Sequence, residues 1–149
     1  MRLVTTCRTW GILGLCVLMA GCGVKNLGVL MSSPMADQSE GAASSIDSQN
    51  FQSDVLENDQ LVILDCWAPW CGPCMQLSPT IERMALKYEG RAVVAKMNID
   101  DSKEIAAKYQ IQSIPALLFF RGGQEIDRIV GVIDESQLES KIESFLSVQ

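Results

Sequence analysis

Two cysteines stand two residues apart in Cys71-Gly72-Pro73-Cys74, with Trp67 and Trp70 just before them. A dithiol at this spacing suits thiol–disulfide exchange, in which a thiolate attacks a disulfide sulfur and a second thiol resolves the adduct. The attacking thiol must ionise more readily than a free cysteine, whose pKa is about 8.5. The flanking residues offer a way. An apolar run ending in an acid, Leu61-Val62-Ile63-Leu64-Asp65, reads as a buried strand leading in. Ile81, Met84, Ala85 and Tyr88 follow at helical spacing, and Gly90 ends that helix. Pro73 falls in its first turn, where a missing N–H does no harm. Cys71 then lies at a helix N-terminus, beside unpaired N–H groups and the positive end of the dipole. Cys74 lies one turn in, close enough to face it, and Gly72-Pro73 keeps the link short and stiff.

The same cysteines read poorly as a metal site. One Cys-x-x-Cys pair has no second pair to complete a tetrahedral set, and the chain has no histidine. No metal and no cofactor is expected. The absence of histidine also removes the usual general base. Asp65 closes the apolar run of the leading strand. Burying it after four apolar strand residues would be costly without a role, although a satisfied structural acid is the plainer alternative. Beyond residue 45, nine Lys+Arg face sixteen Asp+Glu, a net charge of −7. Such a surface repels phosphate backbones, so nucleic-acid binding is not expected.

Further elements must hold the dithiol in place. Phe51, Val55 and Leu56 share a helical face, with Asp47 or Ser48 as cap. Ala92 to Met97 and Ala116 to Phe120 read as buried strands. A short helix from Asp101 or Ser102 runs through Ala106 and Ala107 towards Tyr109. Arg121-Gly122-Gly123-Gln124 is a turn, and Glu125 to Val130 pairs back as a hairpin strand. Leu138, Ile142, Phe145 and Leu146 stripe a last helix, with Asp134 as cap and Gln137 as capping-box partner. Pro79 should kink the helix that carries the cysteines. The order implies a mixed sheet flanked by helices.

Trp67-Ala68-Pro69-Trp70-Cys71-Gly72-Pro73-Cys74 resembles the active site of the thioredoxin family, and the resemblance extends over residues 46–149. It implies an α/β thioredoxin fold, with a central mixed five-stranded sheet flanked by four helices. It implies a redox-active Cys71–Cys74 disulfide in the oxidised form. Asp65 matches the buried acid that handles the proton of the second cysteine. Lys96 matches the lysine near that acid, although a solvated strand end is an equal reading of it. Pro79 matches the helix-kinking proline. Ile114-Pro115 matches the bond before a cis-proline facing the active site, and Gly131 the glycine beside the substrate groove. Trp70 abuts Cys71 and is the better tryptophan for substrate contact. Gly72, Pro73 and Lys96 would tune the redox chemistry. Two departures stand out. Met75 occupies a place where the family usually carries Lys or Arg, which makes the rim more apolar. Cys66 replaces an aromatic residue and reads as a small buried apolar side chain.

Residues 1–21 have the build of an export signal, with Arg2 and Arg8 ahead of an apolar stretch from Trp10 to Ala20. That stretch is short for a spanning helix, which needs about 20 residues. Met19-Ala20-Gly21-Cys22 resembles the lipobox of bacterial lipoproteins, which implies that Cys22 receives lipid and becomes the new N-terminus. A plain cleaved signal and a short uncleaved anchor are the alternatives. Residues 22–45, rich in Ser, Gly and Ala, read as a flexible tether that cannot pack a core, reaching on the order of 25 Å on average.

The expected function is that of a monomeric protein-disulfide reductase, a thiol–disulfide oxidoreductase held by lipid on a bacterial envelope membrane and facing the periplasm or exterior. Its partners would be protein disulfide clients and an electron donor. The alternative is a client-binding or chaperone module of the same fold that does not turn over.

Overall fold

The computed structural model describes residues 42–147. The expected signal, Cys22 and most of the tether lie outside the described residues. Five strands form one sheet: β1 Ser44–Ile46, β2 Leu61–Trp67, β3 Ala92–Asn98, β4 Ala116–Arg121 and β5 Gln124–Val130. Their spatial order is β1-β3-β2-β4-β5. β1 and β2 run parallel to β3, while β4 is antiparallel to β2 and to β5. The sheet is therefore mixed, and β2, which leads to the dithiol, lies at its centre. Among the described residues four helices flank it. One is a short π-type helix, Gln52–Leu56, and three are α1 Gly72–Lys87, α2 Lys103–Lys108 and α3 Glu135–Leu146.

Alternation along the strands sorts the core into two layers. Leu61 and Ile63 of β2, Ala92 and Val94 of β3, and Leu117 and Phe119 of β4 point to one face. There they meet Leu77, Ile81 and Met84 of α1 and Leu138 and Ile142 of α3. Val62, Leu64, Ala95, Met97, Leu118 and Phe120 point to the other face, against Phe51, Val55 and Ile105 of the shorter helices. Covering β2 on both faces explains its unbroken apolar run.

Three sequence expectations are corrected. The tether was expected to run to residue 45, yet Ser44 and Ser45 pair with Ala95 and Lys96 as the first two residues of β1. Ala43 packs against the core, and its N–H donates to Glu82 Oε2 at 2.9 Å. An edge strand of three residues is held chiefly by backbone bonds, so it needs little apolar signal beyond Ile46, which is buried. The capping box at α3 is also absent: Asp134 stands at the N-cap position, but its side chain makes no capping bond. The Gln137 N–H bonds the Asp134 carbonyl instead, at 3.1 Å.

The first short helix has Phe51 as its N-cap residue with no side-chain capping bond, so neither Asp47 nor Ser48 is its N-cap. Asp47 Oδ1 accepts from the N–H groups of Gln49 and Asn50, and its carbonyl accepts from Phe51. Pro79 lies inside α1, and the helix runs on past it to Lys87. At the β4–β5 turn a side chain on Gly123 would put its Cβ 2.7 Å from the Leu56 carbonyl oxygen, and the residue has φ +77°. Only glycine fits there.

Candidate active site

Cys71 is the N-cap residue of α1, with extended backbone (φ −87°, ψ 98°), and Pro73 stands in the first turn. Its Sγ accepts the Cys74 N–H at 3.2 Å, so one unpaired donor of the helix start points at sulfur. The Cys71 N–H bonds the Ala68 carbonyl at 3.0 Å, and its own carbonyl accepts from Met75 at 3.2 Å. The two cysteines are joined as a disulfide, with Cα atoms 5.3 Å apart. Both are buried, in a small cluster with Ala68 that Trp67, Ile99 and Ile114 pack against. Gly72 and Pro73 between them are exposed.

Asp65 shares the strand face of Leu61 and Ile63 and therefore lies on the side of the sheet that α1 covers. It is 1% exposed, and neither carboxylate oxygen has a hydrogen-bond partner among the described residues. Burial pushes its pKa up to about 7; the nearby Lys96 ammonium opposes that rise and Glu82 adds to it. Such a carboxyl can hold or release a proton near neutral pH, which an exposed aspartate does not. Lys96 is its register partner on β3 and points to the same face. Yet the Lys96 Nζ donates to Ser78 Oγ at 2.7 Å and Glu82 Oε1 at 3.2 Å, and lies 5.3 Å from the Trp67 ring centre. Lys96 is thus a half-buried, partnered cation on the Asp65 side of the sheet.

Of the expected substrate-side residues, Ile114 packs on the dithiol cluster, Pro115 meets Gly131, and Trp70 adjoins Cys71 in the chain. The Ile114–Pro115 bond is cis, and the Pro115 carbonyl accepts the Gly131 N–H at 2.8 Å. Gly131 has φ +97°, a conformation that favours glycine. Ile114 packs against the dithiol cluster, which brings this loop to the cysteines. Trp70 is 67% exposed, and its indole N–H donates to Asp100 Oδ2 at 2.8 Å. Met75, Val130 and Val132 are exposed as well; Met75 follows Cys74 in the chain, and the two valines flank Gly131. Cys66 takes the opposite face of β2, among Leu64, Met97 and Ala116, where burial pushes its thiol pKa up and keeps it protonated.

Sequence reading missed Ser78, Glu82 and Asp100. Ser78 and Glu82 sit four apart on α1, beside the buried Leu77 and Ile81. A strand lysine expected near a buried acid needs partners, and that was the available signal. Nothing in the sequence alone pairs Trp70 with Asp100.

The chain matches the family model described as "Thioredoxin" over residues 42–144. It is similar to "Thioredoxin" of Chlorobaculum thiosulfatiphilum, 44% identical over 98 residues that cover 66% of this chain and 91% of that protein. It is 40% identical to "Thioredoxin 1" of Nostoc sp. over 105 residues, covering 70% and 98% of the two chains. The match to "Thioredoxin" of Porphyra purpurea is 41% over 106 residues, covering 71% and 99%. Family match and dithiol geometry agree, and the chain belongs to the thioredoxin family as a dithiol oxidoreductase of protein disulfides.

Proposed function

We propose that this domain is a protein-disulfide reductase working by a mixed-disulfide mechanism, as a monomer tethered to a bacterial envelope membrane. The observation that carries the catalytic reading is the dithiol at the capped start of α1, with the buried, unpartnered Asp65 on the face that α1 covers. In the reduced form the Cys71 thiolate attacks one sulfur of a client disulfide. A Cys71–client S–S bond forms, the client S–S bond breaks, and one client sulfur leaves as thiolate and takes a proton. Asp65 accepts the proton of the Cys74 thiol. The Cys74 thiolate then attacks the Cys71 sulfur, which forms the Cys71–Cys74 bond and releases the second client thiolate. Two electrons pass from the dithiol to the client, and the Cys71–Cys74 disulfide is the product state. A dithiol-class electron donor must reduce it again for turnover. Trp70, the Ile114-Pro115 backbone and Gly131 offer an extended client segment an apolar face and main-chain bonds.

Gly72-Pro73 between the cysteines favours a reductant, with a potential near the family value of about −270 mV; a measured value above about −200 mV would overturn the direction proposed. Cys74→Ser is the direct test. It should freeze the mixed disulfide on Cys71 and allow the client to be identified by mass spectrometry. No adduct in that variant, or full biological activity in a Cys71→Ser/Cys74→Ser double variant, would favour a client-holding module instead.

The tether rests on the lipobox-like Met19-Ala20-Gly21-Cys22 and the Ser/Gly-rich stretch after it. Lipid on Cys22 would hold the domain by burying methylenes, at about 0.8 kcal/mol each. Labelled palmitate should enter the full chain and be lost in Cys22→Ala. Incorporation that survives the substitution excludes Cys22 as the lipid site.

A further inference from the structure

The Lys96 side chain presents a puzzle. It is the register partner of Asp65 and shares its face of the sheet, so an ion pair between them is the obvious arrangement. The ammonium instead turns to α1, where Ser78 Oγ and Glu82 Oε1 accept its bonds at 2.7 and 3.2 Å. Both Asp65 oxygens stay without a hydrogen bond among the described residues. Glu82 is itself fixed. Its other oxygen accepts the Ala43 N–H at 2.9 Å, from the residue just ahead of β1. One carboxylate therefore has an oxygen on a backbone donor of the sheet edge and an oxygen on Lys96.

We propose that Glu82 is a positioning residue for the proton transfer at Asp65: clamped by the Ala43 N–H, it holds the Lys96 ammonium on α1 and keeps it from pairing with Asp65. A directly paired Asp65 would be a stable carboxylate and a poor proton carrier. Drawn aside, Lys96 still moderates the buried acid through space but does not discharge it. The negative charge of Glu82 acts in the same sense, raising the affinity of Asp65 for its proton. The other surroundings of Asp65 are apolar or engaged. Its β4 partner is Leu117, and α3 meets this face through Leu138 and Ile142. The acids Glu135, Glu139 and Glu143 of α3 are paired with Arg83, Lys87 and Arg91. The Cys66 thiol points to the opposite face, and Cys71 and Cys74 stand at the start of α1, which covers this one.

This inference rests on the reading of Asp65 as proton acceptor, and the test separates the two. In the full-length protein, the rate of client-disulfide reduction is followed against pH, and the Asp65 carboxyl of the oxidised form is titrated by 13C NMR. Glu82→Gln keeps the shape and the acceptor oxygen but removes the charge, which frees Lys96 to pair with Asp65. The Asp65 midpoint should fall by about one pH unit, and the rate profile should move with it. Glu82→Asp, which keeps the charge, should stay close to the parent. Lys96→Met should move the midpoint the other way. A Glu82→Gln midpoint that is unmoved, or displaced to higher pH, overturns the inference. Asp65→Asn should erase the corresponding limb of the rate profile. If the limb survives, the proton-acceptor reading fails, and the NMR titration alone decides the role of Glu82.

Discussion

Helix α1 meets carboxylates in two ways along its length. On one side it covers Asp65, buried and without a hydrogen bond among the described residues. Further along, the α1 side presents Arg83, Lys87 and, just past the helix end, Arg91 to Glu135, Glu139 and Glu143 of α3. Each set recurs every four residues, so equivalent positions on successive turns meet in register and the two helices are laced in parallel. The chemical group is the same and the outcome is opposite. Hydrogen bonding to Arg83 and Arg91 holds Glu135 and Glu143 below the usual carboxylate range, whereas burial lifts Asp65 to about 7. A solvated, paired carboxylate keeps its charge at little cost. A buried, unpaired one is driven towards its neutral form, and the fold gives up stability to keep it there. The difference separates a surface that sets helix packing from a site that can move a proton.

The largest test of this contrast is Asp65→Asn. The folded pKa of Asp65 lies above its ordinary value of 3.8, so the native state binds the extra proton between about pH 4 and 7. Its contribution to stability is full below pH 4 and is lost as the pH rises through 7. The substitution removes that loss. The oxidised variant should gain up to about 4 kcal/mol over the parent at pH 8, and little at pH 4. Urea denaturation at both pH values measures it, and an equal difference at the two would break the comparison. Client-disulfide reduction at pH 7 should fall about tenfold or more, on the scale of general-base catalysis.

The laced surface should respond more weakly. Glu139→Lys sets a fourth cation beside Arg83, Lys87 and Arg91 and should lower Tm by a few degrees. Adding Lys87→Glu to that variant restores an opposite pair and should recover most of the loss. Failure of the double variant to recover would mean that the helices are held by Leu77, Ile81, Leu138 and Ile142 alone. The pH response should also run opposite to that of Asp65. The stabilisation from Glu135 and Glu143 is present above the unfolded carboxylate range and is lost as the pH falls through their lowered values.

Salt gives the smallest effect and the sharpest separation. At 1 M the screening length shrinks to about 3 Å, so the penalty of Glu139→Lys should shrink with it. The Asp65 titration midpoint should barely move, because buried interactions are screened far less. A midpoint that tracked salt as strongly as the surface pairs would show that water reaches Asp65.

Much of the site was legible before any coordinates. Cys71 and Cys74 were legible because a dithiol at this spacing, with Pro73 in the first turn, has few structural uses. Asp65 was legible because an acid closing a four-residue apolar strand is conspicuous. Ile114-Pro115 and Gly131 were legible through family resemblance, since nothing local shows that a Pro115 carbonyl meets a Gly131 N–H sixteen residues on. β1 escaped because a short edge strand is specified by the backbone of β3 rather than by its own side chains. The Asp134–Gln137 capping box was a local pattern that does not form: the Asp134 side chain makes no capping bond. The ladder of ion pairs was invisible because its partners lie 52 residues apart.

By itself the sequence determined the strand–turn–helix carrying the dithiol, the acid behind it, the layered α/β order and the excess of negative charge. These follow from periodicity, turn chemistry and composition, which act over a few residues. Tertiary structure alone decided which way Lys96 turns, that Glu82 is clamped by Ala43, that Asp65 has no hydrogen bond among the described residues, and which acids are paired. Those outcomes depend on the register of β2 against β3 and the seating of α1 over both. Hydrogen bonds and charge pairs fall off within a few ångströms, and no sequence spacing encodes such distances between separate elements.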